Sequence, residues 1–111
     1  MTENISGSGP VNPHDEKMYK QEYKQSADLF KKALDQYEKS DNAFQKAEFK
    51  DVMDKAMNIL NESAKGMIRK DLEEKNKKIA RDYETFQKYP GDHHAVQQLQ
   101  KDLDEAEKSM D

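Results

Sequence analysis

Apolar residues recur along most of this chain at intervals of three and four. That spacing places apolar side chains on one face of an α-helix, whereas a half-buried strand would alternate strictly between apolar and polar positions. The pattern therefore predicts an all-α protein. It places helices at about 15–39, 43–88 and 93–110, within a single helical domain that spans 14–111.

The first predicted helix carries an apolar stripe that is unusually rich in tyrosine. Tyrosine tolerates half-exposure because its hydroxyl can remain in contact with water. Such a stripe is more often a seam between two helices than a platform for a ligand, so we expect helix packing here. The stripe consists of Tyr19, Tyr23, Ala27, Phe30, Leu34 and Tyr37.

The second predicted helix has the densest apolar face in the chain. Asn42 is a good N-cap, and Gln45 three residues later completes a sequence that resembles a capping box. The face comprises Phe49, Val52, Met53, Ala56, Ile59, Leu60, Ala64, Met67 and Ile68.

One section of this long segment is ambiguous. Between residues 69 and 78 the only apolar residue is Leu72. Either a continuous helix crosses a solvated gap, or the helix breaks near Gly66 or Asn76. A glycine inside a helix costs only about 1 kcal/mol, which favours the continuous helix.

The clearest turn in the sequence is residues 89–92, Tyr-Pro-Gly-Asp. Proline cannot continue the preceding helix, glycine readily adopts positive φ, and Asp92 can cap the helix that follows. This turn brings the last helix back antiparallel and predicts a long helical hairpin or a three-helix antiparallel bundle. Residues 1–13 are rich in Gly, Ser, Asn and Pro, and we expect them to form a disordered tail.

Composition limits how much the chain can bury. Leu, Ile, Val and Phe together make up 17 of 111 residues, whereas charged residues make up 38%. The low net charge of −4 still permits folding. A core this thin makes a water-excluding catalytic pocket improbable, so we predict a non-enzymatic protein with no catalytic residues, no cofactor and no small-molecule substrate.

Charge is uneven along the chain. Residues 65–81 carry a net charge of +4 and residues 92–111 a net charge of −4. We expect these two segments to pair within the chain, and the alternative is that the basic segment docks an acidic partner. The pI near 5.4 argues against nucleic acid as a partner.

Motifs for chemistry are lacking. His93 and His94 are helix neighbours that point in different directions, so no metal site is predicted. Carboxylates lie on charged helix faces beside lysines, which gives no reason to expect a raised carboxyl pKa. No apolar run approaches the length of a membrane span. We expect a cytoplasmic protein, although a signal read by a dedicated export machine would not be visible.

The dense face of the second helix needs more than one surface to cover it. We therefore predict that the chain is an adaptor-like or chaperone-like interaction module that binds another protein helix or itself, as a homo-oligomer. The alternative is that the same residues form the core of the chain. The predicted contact residues are Tyr19, Tyr23, Phe30, Leu34, Tyr37, Phe49, Met53, Ala56, Leu60 and Met67.

Residues 89–100 (YPGDHHAVQQLQ) resemble the Pro–small–Asp turn and following helix of type III secretion needle subunits. Those subunits are helical hairpins, and so are their small chaperones. The resemblance covers twelve residues. It implies an alternative function as a structural or accessory subunit of a secretion apparatus that assembles through helix seams.

Overall fold

Four α-helices account for nearly all of the described chain. The computed structural model describes residues 13–110, with side chains from Asp15 onward, and the predicted disordered tail lies almost wholly outside this range. The all-α prediction is confirmed, and no strand occurs within residues 13–110. The helices are α1 (Pro13–Lys39), α2 (Ala43–Met67), α3 (Lys70–Lys88) and α4 (His93–Lys108).

The helices form an antiparallel four-helix bundle of 49 × 24 × 21 Å. Each helix packs against two others, so that α1 and α3 lie diagonally across the core from each other, as do α2 and α4. The predicted hairpin or three-helix bundle is therefore wrong in helix number. The core is made almost entirely of Ala, Leu, Met, Tyr and Phe side chains.

The continuous helix over 43–88 is also wrong, because the chain reverses direction at Ile68. This residue has φ 55° and ψ 45°, in the left-handed region. The Ile68 amide donates to the carbonyl of Lys65 at 3.0 Å, and the Arg69 amide donates to the carbonyl of Ala64 at 3.2 Å. This pair of bonds is a Schellman motif, whose left-handed position usually holds glycine.

Arg69 links the turn between α2 and α3 to the C-terminal end of α4 by hydrogen bonds. Its guanidinium donates two hydrogen bonds to the carboxylate of Asp71, at 3.2 and 2.6 Å, and two longer ones to the carbonyl of Ser109, both at 3.4 Å. The bonds from Arg69 hold the pKa of Asp71 below its usual value. The α2–α3 turn is thereby connected to the residues that follow α4.

The two predicted N-caps are present. The side chain of Asn42 accepts from the amides of Phe44 and Gln45 at 2.8 and 3.1 Å, and that of Asp92 accepts from the amide of His94 at 2.9 Å. The capping box is modified, because Gln45 accepts from the hydroxyl of Ser40 at 3.1 Å, and that hydroxyl in turn accepts from the Asn42 amide. Capping satisfies the first amides of α2 and α4, which have no partner within the helix.

Candidate functional site

The predicted contact residues divide into a buried and a half-buried group. Buried side chains can reach a partner only if the bundle opens. Tyr19, Tyr37 and Phe49 are half-buried. The other seven lie in the core: Tyr23, Phe30, Leu34, Met53, Ala56, Leu60 and Met67.

Tyr23 is held in the core by a polar network that spans three helices. Its hydroxyl donates to Asn76 Oδ1 at 2.7 Å, and Asn76 Nδ2 donates to the carbonyl of Leu60 at 3.0 Å. Burial raises the pKa of Tyr23 well above its usual value. Asn76 therefore belongs to the core of α3, although from the sequence it was a candidate for a helix break.

Four further aromatic residues join α1 to α3 across the core. The rings of Phe30 and Tyr83 meet edge to face at 5.0 Å, and those of Tyr37 and Phe86 do so at 5.3 Å. The Tyr83 hydroxyl donates to Asp54 Oδ1 at 2.6 Å, and burial followed by this bond raises the pKa of Tyr83. The tyrosine stripe thus forms a helix seam, as the sequence indicated.

An apolar groove runs along the outer surface between α1 and α2, and we call it the α1–α2 groove. Its volume is about 210 Å³. Leu29 is 43% exposed, Phe49 and Val52 are half-buried, and Ala33 forms the buried floor. The full lining is Leu29, Lys32, Ala33, Gln36, Phe49 and Val52.

Of these groove residues, only Phe49 was among the predicted contacts. The sequence contains a signal for the two other apolar residues on α1: Leu29 and Ala33 are four residues apart, beside the main stripe. A second row of this kind widens the apolar face of a helix beyond what one neighbour can cover. Leu29 was missed because its neighbour Phe30 already fits the main stripe.

A second groove, between α3 and α4, is lined by charges of both signs. Its volume is about 390 Å³, and its lining comprises Asp71, Glu74, Lys75, Lys78, Asp102 and Glu105. Lys78 Nζ lies 3.3 Å from Asp102 Oδ1, and this ion pair joins the basic segment to α4. Lys31 of α1 is paired with Asp104 and Glu107 of α4 instead. The predicted pairing of the two charged segments is thus realised through Lys78, while α1 neutralises other acids of α4.

Two carboxyl groups meet in the seam beneath this groove. Burial, followed by the hydrogen bond and charge of Asp102, raises the pKa of Asp82 to about 6. The expectation that no carboxyl pKa is raised is therefore wrong. The sequence conceals the pair because Asp82 and Asp102 are twenty residues apart and each has basic neighbours on its own helix.

Within the part of the chain that is described, no group of three or more His, Cys, Asp or Glu residues is placed to hold a metal ion. His93 and His94 are exposed at the start of α4. Across the described helices, none is both long and apolar enough to cross a membrane.

Comparisons with protein-family models, with curated proteins and with solved structures find no match to this chain.

Proposed function

We propose that this protein is a non-enzymatic interaction module that binds an amphipathic helix of another protein in the α1–α2 groove. The observation that carries the proposal is the apolar lining of this groove on the bundle surface, where Leu29 is 43% exposed beside half-buried Phe49 and Val52. Grooves between two helices commonly receive the apolar face of a third.

The size of the groove favours a helix over a small molecule. Its volume of about 210 Å³ is below the ~300–1,000 Å³ of typical small-molecule sites. A helix would insert one or two large apolar side chains at a time, spaced by three or four residues. Lys32 and Gln36 at the rim would then face the polar flank of the incoming helix.

The fold changes the reason for expecting a partner. From the sequence, the dense face of α2 needed a second chain to cover it. In the bundle α1 and α3 both pack against α2, and Met53, Leu60 and Met67 are buried within one chain. Because this face of α2 is covered within one chain, it no longer supports obligatory self-association. The α1–α2 groove is the feature that supports binding.

Site-specific photocrosslinking in the cells that make the protein tests the proposal. A photoreactive residue replaces Lys32 at the groove rim or, as a control, Lys101, which is exposed on α4. We expect an adduct from position 32 only, and mass spectrometry should locate it on an amphipathic helix of the partner. The double variant L29S/F49S should abolish the adduct, and F44S should retain it because Phe44 is 74% exposed and lies outside the groove.

Two results would overturn the proposal. The first is an adduct that survives in L29S/F49S, or an identical set of adducts from positions 32 and 101. The second is an adduct only with further copies of this chain, together with open-ended growth in light scattering. That second result would favour the alternative function as a self-assembling structural subunit.

A further inference from the structure

The seam between α3 and α4 contains the carboxyl groups of Asp82 and Asp102. Each of them has one buried oxygen atom without a hydrogen-bond partner. Asp102 is only 3% exposed. Its Oδ1 accepts from Gln98 Nε2 at 3.0 Å and lies 3.3 Å from Lys78 Nζ. Its Oδ2 and the Oδ2 of Asp82 are both buried and receive no hydrogen bond from another group.

The arrangement is consistent if one proton lies between the two carboxyls. Two ionised carboxylates in contact would repel each other, whereas a protonated carboxyl can donate to an ionised one. Lys78 and Gln98 both stabilise a negative charge on Asp102, so Asp82 is the carboxyl that holds the proton. We propose that this shared proton is a latch that holds α4 against α3, and that its loss loosens α4 from the bundle.

The charged surroundings of Asp82 act in both directions. Burial and Asp102 favour its protonated form, while Lys78 and Arg81 on its own helix oppose this, and the resulting pKa is about 6. From α4, Glu105 lines the adjoining groove together with Lys75 of α3. From α2, Asp54 accepts a hydrogen bond from the Tyr83 hydroxyl of α3 and pairs with Lys50 Nζ at 3.3 Å.

The latch holds α4, whose core face is built from small and medium-sized apolar side chains. The core residues that α4 contributes are alanine, valine and leucine, without an aromatic ring. Its polar attachments to the rest of the bundle include the pairing of Lys31 with Asp104 and Glu107, and the bonds from Arg69 to the carbonyl of Ser109. A change of charge in the α3–α4 seam should therefore loosen α4 before the rest of the bundle.

The sign of the effect follows from the direction of the pKa shift. An acid whose pKa is higher in the folded protein than in the open form binds its proton more tightly when folded. Its contribution to folding is therefore complete below its ordinary pKa of about 4 and is lost as the pH rises through about 6. The proton shared by Asp82 and Asp102 is therefore bound in acid and lost at neutral pH.

Amide hydrogen exchange of the full chain at pH 5 and pH 7, corrected for the intrinsic rates, tests this inference. We expect the protection of α4 to fall about tenfold between these values, because the opening equilibrium shifts by that factor when an acid of pKa about 6 loses its proton. D82N should abolish this pH dependence, because its amide can donate to Asp102 at either pH. D51N is the matched control on exposed α2 surface and should behave as the unmodified chain.

A second measurement keeps the inference falsifiable if D82N folds poorly. The carboxyl carbon of Asp82 can be titrated by NMR in the unmodified chain, where the latch predicts a midpoint about two units above the ordinary value of ~4. A midpoint near 4 would overturn the inference. So would α4 protection that does not change between pH 5 and 7, or pH dependence that persists in a folded D82N. None of these measurements involves the α1–α2 groove, so they are independent of the proposed function.

Discussion

The ring of Tyr19 lies so close to Gly66 that a methyl group on Gly66 would meet the Cζ atom of the ring at 2.6 Å. A Cβ atom at Gly66 would therefore force the far end of the Tyr19 ring to shift away from α2. Gly66 lies inside α2, one residue before the helix ends. Its role is to accommodate Tyr19, and the chain reversal takes place two residues later.

Gly66→Ala should therefore reveal two opposing effects. Alanine stabilises a helix interior by about 1 kcal/mol relative to glycine, but here it must displace the Tyr19 ring. We expect G66A to be destabilised by about 1 kcal/mol in the unmodified chain, a typical cost of overpacking. In a Y19A background the same substitution should stabilise the protein by about 1 kcal/mol. Urea unfolding of the four proteins measures both values, and an equal effect of G66A in the two backgrounds would contradict the close approach.

Ile68→Gly should stabilise the bundle. A β-branched residue in the left-handed region is strained by about 1–2 kcal/mol. Replacing Ile68 with glycine removes little buried surface, because the side chain is 56% exposed. We expect a gain of about 1 kcal/mol in the free energy of unfolding, since glycine adopts this conformation freely. Thermal and urea unfolding provide the measurement. The control is A80G at an exposed position within α3, which should lower the free energy of unfolding by about 1 kcal/mol. If I68G also lowered the free energy of unfolding, the strain at Ile68 would be refuted.

Tyr23→Phe should destabilise the bundle although it removes only one oxygen atom. It leaves Asn76 Oδ1 buried without its donor, which costs about 1–3 kcal/mol. Y89F removes the same atom from a side chain that is 62% exposed and should change stability little. Tyr23→Ser should cost more, about 3–5 kcal/mol, because it also leaves a cavity. If Y23S kept its melting temperature while binding or self-association was lost, Tyr23 would be a contact residue and not a core residue.

Alkaline pH should unfold the protein together with the ionisation of its buried tyrosines. The pKa values of Tyr23 and Tyr83 are raised, mainly by burial, so each binds its proton more tightly in the folded chain. Their contribution to stability is complete below the ordinary tyrosine pKa of about 10 and is lost as the pH rises above it. We expect helicity to fall in step with the later part of the tyrosinate absorbance change. If all five tyrosines of the chain ionised while full helicity remained, burial of Tyr23 and Tyr83 would be contradicted.

Features that depend on local spacing could be predicted from the sequence. The apolar periods place the helices, Asn42 and Asp92 cap two of them, and the turn at 89–92 ends α3 and begins α4. Each of these is determined by residues within a few positions of one another, because helical periodicity and capping bonds act over one or two turns. The prediction that the tyrosine stripe packs between helices rests on the same local spacing.

Tertiary structure alone decided the features that depend on residues far apart in the chain. Ile68 has no local preference for the left-handed region, so the reversal there reflects the burial gained when α3 folds back onto α2. The packing of α3 against the other helices places Asn76 beside Tyr23 of α1 and Asp82 beside Asp102 of α4. The α1–α2 groove likewise exists only because two helices leave Leu29 and Phe49 on the same outer surface. The sequence by itself determined almost all of the helical residues and which face is apolar, but not the reversal at Ile68. The number of helices in the core depended on tertiary packing, and so did the choice of apolar residues that remain outside it. The free energy gained by packing distant segments together can exceed the cost of one strained residue.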